Sequence, residues 1–322
     1  MAPKLDKLDL KILTVLDANS RISLAGLARE LRVAQETVRY RVNQLEKNKF
    51  ILHFMSVIDT GHLGYCFYKV LFRLHNASEA DVKRFTRSFV EMKQISWVAR
   101  LYGSFDVGIT ATMVKPGEMS ELVDQVTTQY CSLISDRTFS VNIRGEYLTR
   151  SYLGSEKRRT KAALHYHVET DREGIDILDE SILRSLALDS RESSTAIAAK
   201  LDVSHDMVRS RIRKLEQRKI LTRYTIVLNH EAMGQLHYKV LFFLNASSTK
   251  EATRFETFCR NVPQIVYIIK ALGAWDYELD IEVQSTRDLY RVLLGITEKF
   301  SLLVKSYDVL EVTEIYKYNL FP

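Results

Sequence analysis

The chain carries one sequence pattern twice. The dipeptide Leu8-Asp9 recurs as Leu178-Asp179, an offset of 170 residues from position 8 to position 178, and the offset continues without a gap. The pentapeptide at 68–72, YKVLF, returns unchanged at 238–242. Chance does not keep one register over such a span, and the period is far longer than that of solenoid repeats. The repeat therefore predicts a duplicated set of domains within a single chain.

Length and composition agree with this organisation. A chain of 322 residues with 46% hydrophobic and 27% charged residues is long enough for two or more domains, each with its own core. The net charge of +6 and the isoelectric point near 9.0 favour a polyanionic partner without requiring one.

Each copy begins with three short helices and a strand. Apolar residues at helical spacing predict the helices, and an alternating stretch predicts the strand. A tight break between the second and third helices is typical of a helix-turn-helix, in which the strand would form a wing. The predicted ranges are 7–18, 24–31, 35–48 and 51–58 in the first copy, and 177–188, 195–201, 205–218 and 224–228 in the second.

The third helix of the second copy gives the strongest functional signal. Val208, Ile212 and Leu215 line one face, and Ser204 precedes them as a helix N-cap. Positions 204–223 contain seven Lys or Arg residues against two acids. Such a helix suits a DNA groove, where Arg bonds guanine and nearby cations neutralise phosphates. A merely solvated basic face is the alternative.

The side chains predicted to meet DNA lie opposite the apolar face of each third helix. They are Gln35, Glu36, Arg39, Tyr40, Asn43 and Lys47 in the first copy, and Ser204, His205, Arg209, Ser210, Arg213 and Lys214 in the second. Arg41 and Arg211 flank the buried face, and we expect them to pair with acids such as Asp9 and Asp179.

The two third helices are not equivalent. Ala34 stands where the second copy has the capping Ser204, which weakens the helix start by about 1 kcal/mol. Positions 34–53 hold four Lys or Arg residues and two acids. Our hypothesis is that the second helix supplies more of the phosphate affinity and that the two helices read unlike half-sites.

A different pattern follows in each copy. Strands and amphipathic helices alternate in the order βαββαβ, which is the ferredoxin-like unit with helices on one face of an antiparallel sheet. The predicted ranges are 65–74, 79–92, 95–101, 107–112, 117–130 and 137–147, then 237–244, 250–259, 265–271, 277–283, 286–300 and 305–316. The expected fold class is α+β, with two winged helix-turn-helix domains each followed by a ferredoxin-like domain.

The two copies resemble a known family. LDKLDLKILTVLDANSRISLAGLARELRVAQETVRYRVNQLEKNKFI and LDESILRSLALDSRESSTAIAAKLDVSHDMVRSRIRKLEQRKIL are both similar to the winged helix of Lrp/AsnC transcription regulators. The βαββαβ parts resemble that family's ligand-sensing RAM domain. Members normally carry one copy and pair through their RAM sheets, so two copies in one chain imply a covalent pseudo-dimer. The expected domains are 1–60 and 171–230 (winged helices), 61–153 and 231–322 (RAM domains), and 154–170 (a basic linker).

The resemblance also implies an effector site. The family places its effector, an amino acid or related small molecule, beside a Gly-x-x-Asp turn, which occurs here as GSFD and GAWD. The residues carried over are Gly103, Ser104, Asp106, Gly273, Ala274 and Asp276. A turn that needs positive φ explains the glycines equally well. Family behaviour further implies that the chains associate into homo-oligomers.

The remaining sequence features are less informative. Cys66, Cys131 and Cys259 have no disulfide or metal spacing and are expected to be buried thiols of a reducing cytosol. His165 and His167 lack further ligands at metal-binding spacing. Without an apolar run of about 18 residues or a signal peptide, the protein is expected to be cytoplasmic and not to bind a membrane.

Three functions remain open on the sequence. The leading interpretation is a sequence-specific transcription regulator that binds double-stranded DNA and a small effector, with no enzymatic activity and no cofactor. The enzymatic alternative is a fused sirohaem decarboxylase, because those enzymes look like paired Lrp/AsnC units. Two features argue against this alternative. The third helices are basic, and the predicted strands contain no cluster of His, Arg and Tyr that could hold a tetrapyrrole. The third is an effector-binding protein that no longer reads DNA.

Overall fold

The computed structural model describes residues 5–154, 162–168, 174–319 and 321. These form two compact units. Among the described residues, the helical unit comprises 5–59, 147–154, 162–165 and 174–235, and the barrel unit comprises 60–146, 166–168, 236–319 and 321. The two helix-turn-helix segments thus lie in one unit, and the two βαββαβ segments lie in the other.

The described residues of the first copy form ten principal elements. In chain order they are α1 (Lys7–Ala18), α2 (Leu24–Leu31), α3 (Gln35–Lys47), β1 (Ile51–Ile58), β2 (Cys66–Leu74), α4 (Glu79–Val90), β3 (Ile95–Tyr102), β4 (Val107–Met113), α5 (Pro116–Gln129) and β5 (Ile134–Tyr147). Short 3-10 turns at Thr60–Leu63 and Ser151–Leu153 flank the second part of this copy.

The second copy repeats the order after one additional strand, β6 (Ala163–His167). Its elements are α6 (Ile177–Leu188), α7 (Ser194–Leu201), α8 (His205–Gln217), β7 (Leu221–Leu228), α9 (His230–Met233), β8 (Leu236–Leu244), α10 (Thr249–Cys259), β9 (Ile265–Gly273), β10 (Tyr277–Val283), α11 (Thr286–Lys299) and β11 (Val304–Tyr318). The predicted helices and strands are confirmed, with ends that differ by a few residues.

Local signals explain the break in each helix-turn-helix. Arg32 ends α2, and Asp202 ends α7, in the left-handed conformation, with φ of 58° and 53°. This conformation turns the chain sharply before the third helix. The Ser204 hydroxyl accepts the backbone N–H of Met207, whereas Ala34 makes no side-chain cap. The expected difference between the two helix starts is confirmed.

The strand predicted as a wing has an unexpected partner. β1 pairs antiparallel with β7, its counterpart in the other copy, in a two-stranded sheet. The wing strands predicted in the two copies are therefore present, and they pair with each other. Both β1 and β7 are largely buried, so that their apolar side chains are covered when the two copies pair. Sequence periodicity identified the strands but could not reveal which strand each one pairs with.

Eight strands of the barrel unit close into a ring. Hydrogen bonding follows the order β2-β4-β3-β11-β8-β10-β9-β5, and β5 also pairs with β2. Within each copy this is the antiparallel order of a ferredoxin-like sheet. The long final strands join the copies, since the end of β11 pairs with β3 while its beginning pairs with β8. Closure leaves both sheets without a free edge in the ring.

Apolar residues fill the outer layer of each sheet. In the first copy, Phe85 and Phe89 of α4 pack against Phe72 of β2, with ring centroids 5.2 and 5.8 Å apart. In the second copy, Phe255 of α10 packs against Phe242 of β8 at 5.6 Å. The helices therefore cover the outside of the barrel, and the opposite faces of the sheets meet inside it.

Two expectations require correction. The segment 154–170, predicted as a linker, contains β6, which pairs with β5; positions 155–161 and 169–170 of it lie outside the described residues. Cys131, predicted to be buried, is exposed because it lies in the turn after α5, whereas Cys259 is buried.

Membrane spans and metal clusters are both absent from the described residues. Within them, no helix is long and apolar enough to cross a membrane. The same residues contain no group of three or more His, Cys, Asp and Glu side chains that could hold a metal ion.

Candidate nucleic-acid interface and effector turns

The third helices, α3 and α8, turn one face inward and one face to solvent. Val38 and Val42 of α3, and Val208 and Leu215 of α8, are buried. All the side chains predicted to meet DNA are exposed: Gln35, Glu36, Arg39, Tyr40, Asn43, Lys47, Ser204, His205, Arg209, Ser210, Arg213 and Lys214. Tyr40 is 62% exposed, an unusual position for an aromatic ring. The solvent-exposed face of each third helix is thus available to a polyanion.

An acid in the first turn of each third helix holds a neighbouring arginine. Glu36 lies 3.2 Å from Arg39, and Asp206 lies 3.8 Å from Arg209, on exposed surface. Helical periodicity also places Asp206 opposite the apolar face, at the same helical position as Glu36, but Asp206 is not among the side chains predicted to meet DNA. A carboxylate there can accept a hydrogen bond from cytosine, and it restricts the arginine beside it.

Arg41 and Arg211 belong to the scaffold. Arg41 lies 2.8 Å from Asp6 and 3.3 Å from Asp9, and Arg211 makes the equivalent contacts in the second copy. The hydrogen bond that Arg211 donates to Asp176 is the main cause that raises the pKa of Arg211. The predicted pairing with Asp9 and Asp179 is confirmed. These arginines tie the third helix to the first in each copy.

Contacts between the two copies fix α3 and α8 in one body. The hydroxyls of Ser20 and Ser190 lie 2.6 Å apart. Arg21 donates a hydrogen bond of 2.7 Å to the carbonyl of Ser190, and its guanidinium stacks on the ring of Tyr224. Together with the β1–β7 sheet, these contacts join the two helix-turn-helix segments into one compact unit that carries both third helices.

The Gly-x-x-Asp turns are shaped by close backbone contacts. Gly103 has φ of 146° and Gly273 has φ of 138°. A Cβ on Gly103 would lie 2.7 Å from the carbonyl oxygen of Val309, and one on Gly273 would lie 2.9 Å from that of Phe139. Positive φ and close approach to the other copy's last strand therefore both require glycine.

The aspartate of each Gly-x-x-Asp turn accepts a hydrogen bond from a backbone N–H group. One carboxylate oxygen of Asp106 accepts the N–H of Leu74 at 2.8 Å, and Asp276 accepts that of Leu244 at 2.7 Å. Each aspartate thus caps the end of the neighbouring strand. Elsewhere in the turns, Ser104 donates to Asp308 and the N–H of Ala274 donates to the Phe139 carbonyl.

A hollow of about 420 Å³ adjoins the first turn. Arg100 and Glu314 supply charge on its wall, together with Asp106, and Tyr102 lies at its rim with 75% of its surface exposed. Arg100 is held by Glu79 at 2.7 Å. Guanidinium and carboxylate groups therefore face one small open space. Of the residues that carry them, only Asp106 was predicted from the sequence as a site residue.

The barrel interior holds a charged cluster that the sequence did not indicate. Lys239 lies 2.7 Å from both Glu278 and Asp280, and Lys69 lies 3.3 Å from Glu278. His237 lies 3.2 Å from Asp280. All five residues belong to strands of the ring. The available signal was the lysine inside each apolar YKVLF segment, which we interpreted only as part of the repeat.

The cluster acts strongly on its two lysines. Burial lowers the pKa of Lys69 to about 8, and the Glu278 carboxylate offsets part of that effect. Burial also opposes the charge on Lys239, but the Asp280 and Glu278 carboxylates outweigh it and raise the pKa of Lys239. The ring of Trp97 lies 3.9 Å from the Lys69 ammonium, which adds a cation–π contact.

Comparison with known proteins identifies the domain type. The AsnC-type helix-turn-helix domain matches residues 5–46 and 175–216. The proline dehydrogenase transcriptional activator of Rhodobacter capsulatus is 30% identical over 130 residues, which cover 40% of this chain and 82% of that protein. The HTH-type transcriptional regulator LrpA of Mycobacterium tuberculosis is 28% identical over 141 residues, 43% of this chain and 91% of LrpA.

A solved structure matches nearly the whole chain. The siroheme decarboxylase NirDL has a TM-score of 0.63 and 12% identity, over 97% of this chain and 93% of that one. At this identity the likeness concerns the fold.

Two helix-turn-helix segments, each followed by a ferredoxin-like domain with a Gly-x-x-Asp turn, define a DNA-binding regulator with its two halves in one polypeptide. The chain belongs to the Lrp/AsnC family of transcriptional regulators, as a tandem member.

Proposed function

We propose that this regulator reads one asymmetric operator, with α3 and α8 in two major-groove segments of the same duplex. The observation that carries the proposal is the pairing of two exposed, unlike third helices within one body. Because both third helices belong to one compact unit, they should bind two half-sites at one fixed spacing.

The chemistry of each helix predicts what its half-site contains. Arg209 and Arg213 of α8 suit guanine, which accepts two hydrogen bonds from a guanidinium. Asn43 of α3 suits adenine, and Tyr40 can pack on a thymine methyl group. We therefore expect a G-containing half-site beneath α8 and an A/T-containing half-site beneath α3.

Selection of bound fragments from random DNA tests this proposal. The expected consensus has two half-sites of different sequence, and footprints that are longer or denser on the α8 side. Arg213→Ala should reduce affinity more than Asn43→Ala and lower the salt dependence, because it removes a cation near phosphates. A palindromic consensus with equal losses from the two substitutions would contradict the proposal.

The effector in this proposal is an amino acid or a related small metabolite, bound in the hollow beside the first turn. Arg100 can take a carboxylate, while Asp106 has a second carboxylate oxygen beyond the one that accepts the Leu74 N–H. Thermal stabilisation by single amino acids tests this, with Asp276→Asn as the control for Asp106→Asn. Equal ligand responses in both variants would remove the first turn as the site.

Association of chains forms part of the same proposal. Tyr102 and Leu272, at the tips of equivalent strands beside the two turns, are 75% and 67% exposed. Apolar side chains at both tips favour contacts between chains. Light scattering should give a mass of two or more chains, which Tyr102→Lys with Leu272→Lys lowers; a monomer in the wild type would contradict this.

A second candidate is the reaction of the structural relative NirDL, a siroheme decarboxylase. The likeness over nearly the whole chain favours it, and buried strands do contain His237, Tyr166 and Tyr267. Against it, Glu278 and Asp280 already neutralise the buried lysines and would repel a polycarboxylate substrate. Mixing with sirohaem should leave its Soret band unchanged; a saturable shift with product formation would favour the enzyme.

A further inference from the structure

The interior of the barrel is charged asymmetrically. Lys69 and Lys239 occupy equivalent positions of the two copies. Their acidic neighbours do not, because the positions equivalent to Glu278 and Asp280 are 108 and 110, where the first copy has glycine and threonine. The second copy therefore supplies both carboxylates for two lysines.

Strand register makes the consequence explicit. Asp280 lies opposite Lys239 in the β8–β10 pair, and Thr110 lies opposite Lys69 in the β2–β4 pair. Lys239 therefore finds a carboxylate within its own copy, whereas Lys69 has only a hydroxyl beside it there. The carboxylate that Lys69 reaches is Glu278 of the other copy, at 3.3 Å.

In the first copy, the ring of Trp97 occupies the space beside Gly108, the position equivalent to Glu278. A Cβ on Gly108 would lie 2.8 Å from the ring of Trp97. The indole thus occupies the space that a side chain at 108 would need, and its face lies 3.9 Å from Lys69 and 4.8 Å from Lys239. The first face therefore has no room for a carboxylate at position 108, and its indole contacts one lysine from each copy.

A second ionic cluster between the copies is equally one-sided. Arg260 of α10 lies 2.7 Å from Glu146 of β5, and Arg144 pairs with Glu256. The equivalent positions with the copies exchanged are 90 and 316, where the chain has Val90 and Tyr316, and 86 and 314, where it has Thr86 and Glu314. Neither of these two residue pairs can form a salt bridge.

We propose that these buried charges make RAM pairing heterotypic: the first RAM face closes on a second RAM face and rejects a copy of itself. Two first faces would bring together two buried lysines and no carboxylate from positions 108 and 110. Two second faces would bring together two lysines and four carboxylates from positions 278 and 280, in addition to the buried Glu282 of each β10, whose equivalent in the first copy is Thr112. An uncompensated buried charge strongly destabilises a protein, so both self-pairings are disfavoured. The partner is a second half of this chain, from the same polypeptide or from another copy.

A charge-transfer cycle in the full-length chain tests the balance. Asp280→Thr removes one carboxylate, Thr110→Asp adds one beside Lys69, and the double variant moves the carboxylate from one copy to the other. Each single substitution should raise the equilibrium constant for unfolding about a hundredfold, and the double variant should return to within about tenfold of wild type. Additive losses in the double variant would overturn the proposal.

A full-length chimaera tests pairing directly. In it, residues 231–322 are replaced by a second copy of 61–153, so that two first faces must meet. This chain should fail to give a cooperative unfolding transition, and the same chain with Thr110→Asp in both copies should regain one. Equal behaviour of the two chimaeras, whether folded or unfolded, would overturn the proposal, because charge balance would then not decide pairing.

Discussion

Lys69 and Glu278 come from different halves of the chain and lie 3.3 Å apart, with 2% and 1% of their side chains exposed. A buried ion pair contributes little stability over an apolar pair of the same shape, but losing one partner is costly. Its position between two similar sheets therefore bears on which sheets can pair more than on how stable the barrel is.

Lys69 should make stability depend on pH. Its pKa in the folded protein, about 8, is below its usual value of 10.5, so the unfolded chain binds more protons between these values. Stability therefore rises as pH increases through this window, by up to about 3 kcal/mol. The measurement is the free energy of unfolding of wild type minus that of Lys69→Met from pH 7 to 10. A difference that stays constant or falls would contradict it.

The helix starts offer a reciprocal test. Ser204→Ala removes the hydroxyl that accepts the Met207 N–H and should destabilise the helical unit by about 1 kcal/mol. Ala34→Ser, at the equivalent and uncapped position, should stabilise it by a similar amount. Denaturant unfolding measures both. If Ala34→Ser proves neutral, a hydroxyl at that position does not reach the N–H groups of the first turn.

Much of the fold was predictable because its signals are local. The extents of α1 and α2 follow from apolar spacing and the start of α2 from the capping Ser23, and the repeat allowed each assignment to be checked against its counterpart. The exposed faces of α3 and α8 follow from the same periodicity.

The missed features depend on pairing between distant strands. β1 reads as a wing by itself, and only its register with β7 identifies it as a joint between copies. Lys69 and Asp280 are inconspicuous in the sequence because closure of the ring, not local pattern, brings their strands together. β6 was missed because its five residues follow shortly after the polar, basic run 154–161 and were assigned to the same linker.

Two glycines with different surroundings should respond oppositely to alanine. Gly103→Ala places a methyl group 2.7 Å from a backbone oxygen at positive φ and should destabilise the barrel unit by about 2 kcal/mol. Gly295 lies inside α11, and no neighbouring atom lies within 4 Å of the place an alanine methyl would take, so Gly295→Ala should stabilise by up to about 1 kcal/mol. Thermal unfolding of both variants measures the contrast, and a neutral Gly103→Ala would show that the turn relaxes.

One helix, α8, carries both a scaffold arginine and a DNA-facing one. Arg211 is held by Asp176 and Asp179, whereas Arg213 lies two residues further along α8 and is exposed. Arg211→Ala should lower stability, because it breaks the ion pairs with Asp176 and Asp179, and should leave the salt dependence of DNA binding unchanged, because its charge is already matched. Arg213→Ala should leave stability within about 0.5 kcal/mol and weaken DNA binding by about tenfold. Unfolding and DNA titration of the same two variants decide the matter. If both arginines affected affinity alike, the ion pairs with the first helix would open on DNA, and Arg211 would belong to the binding face.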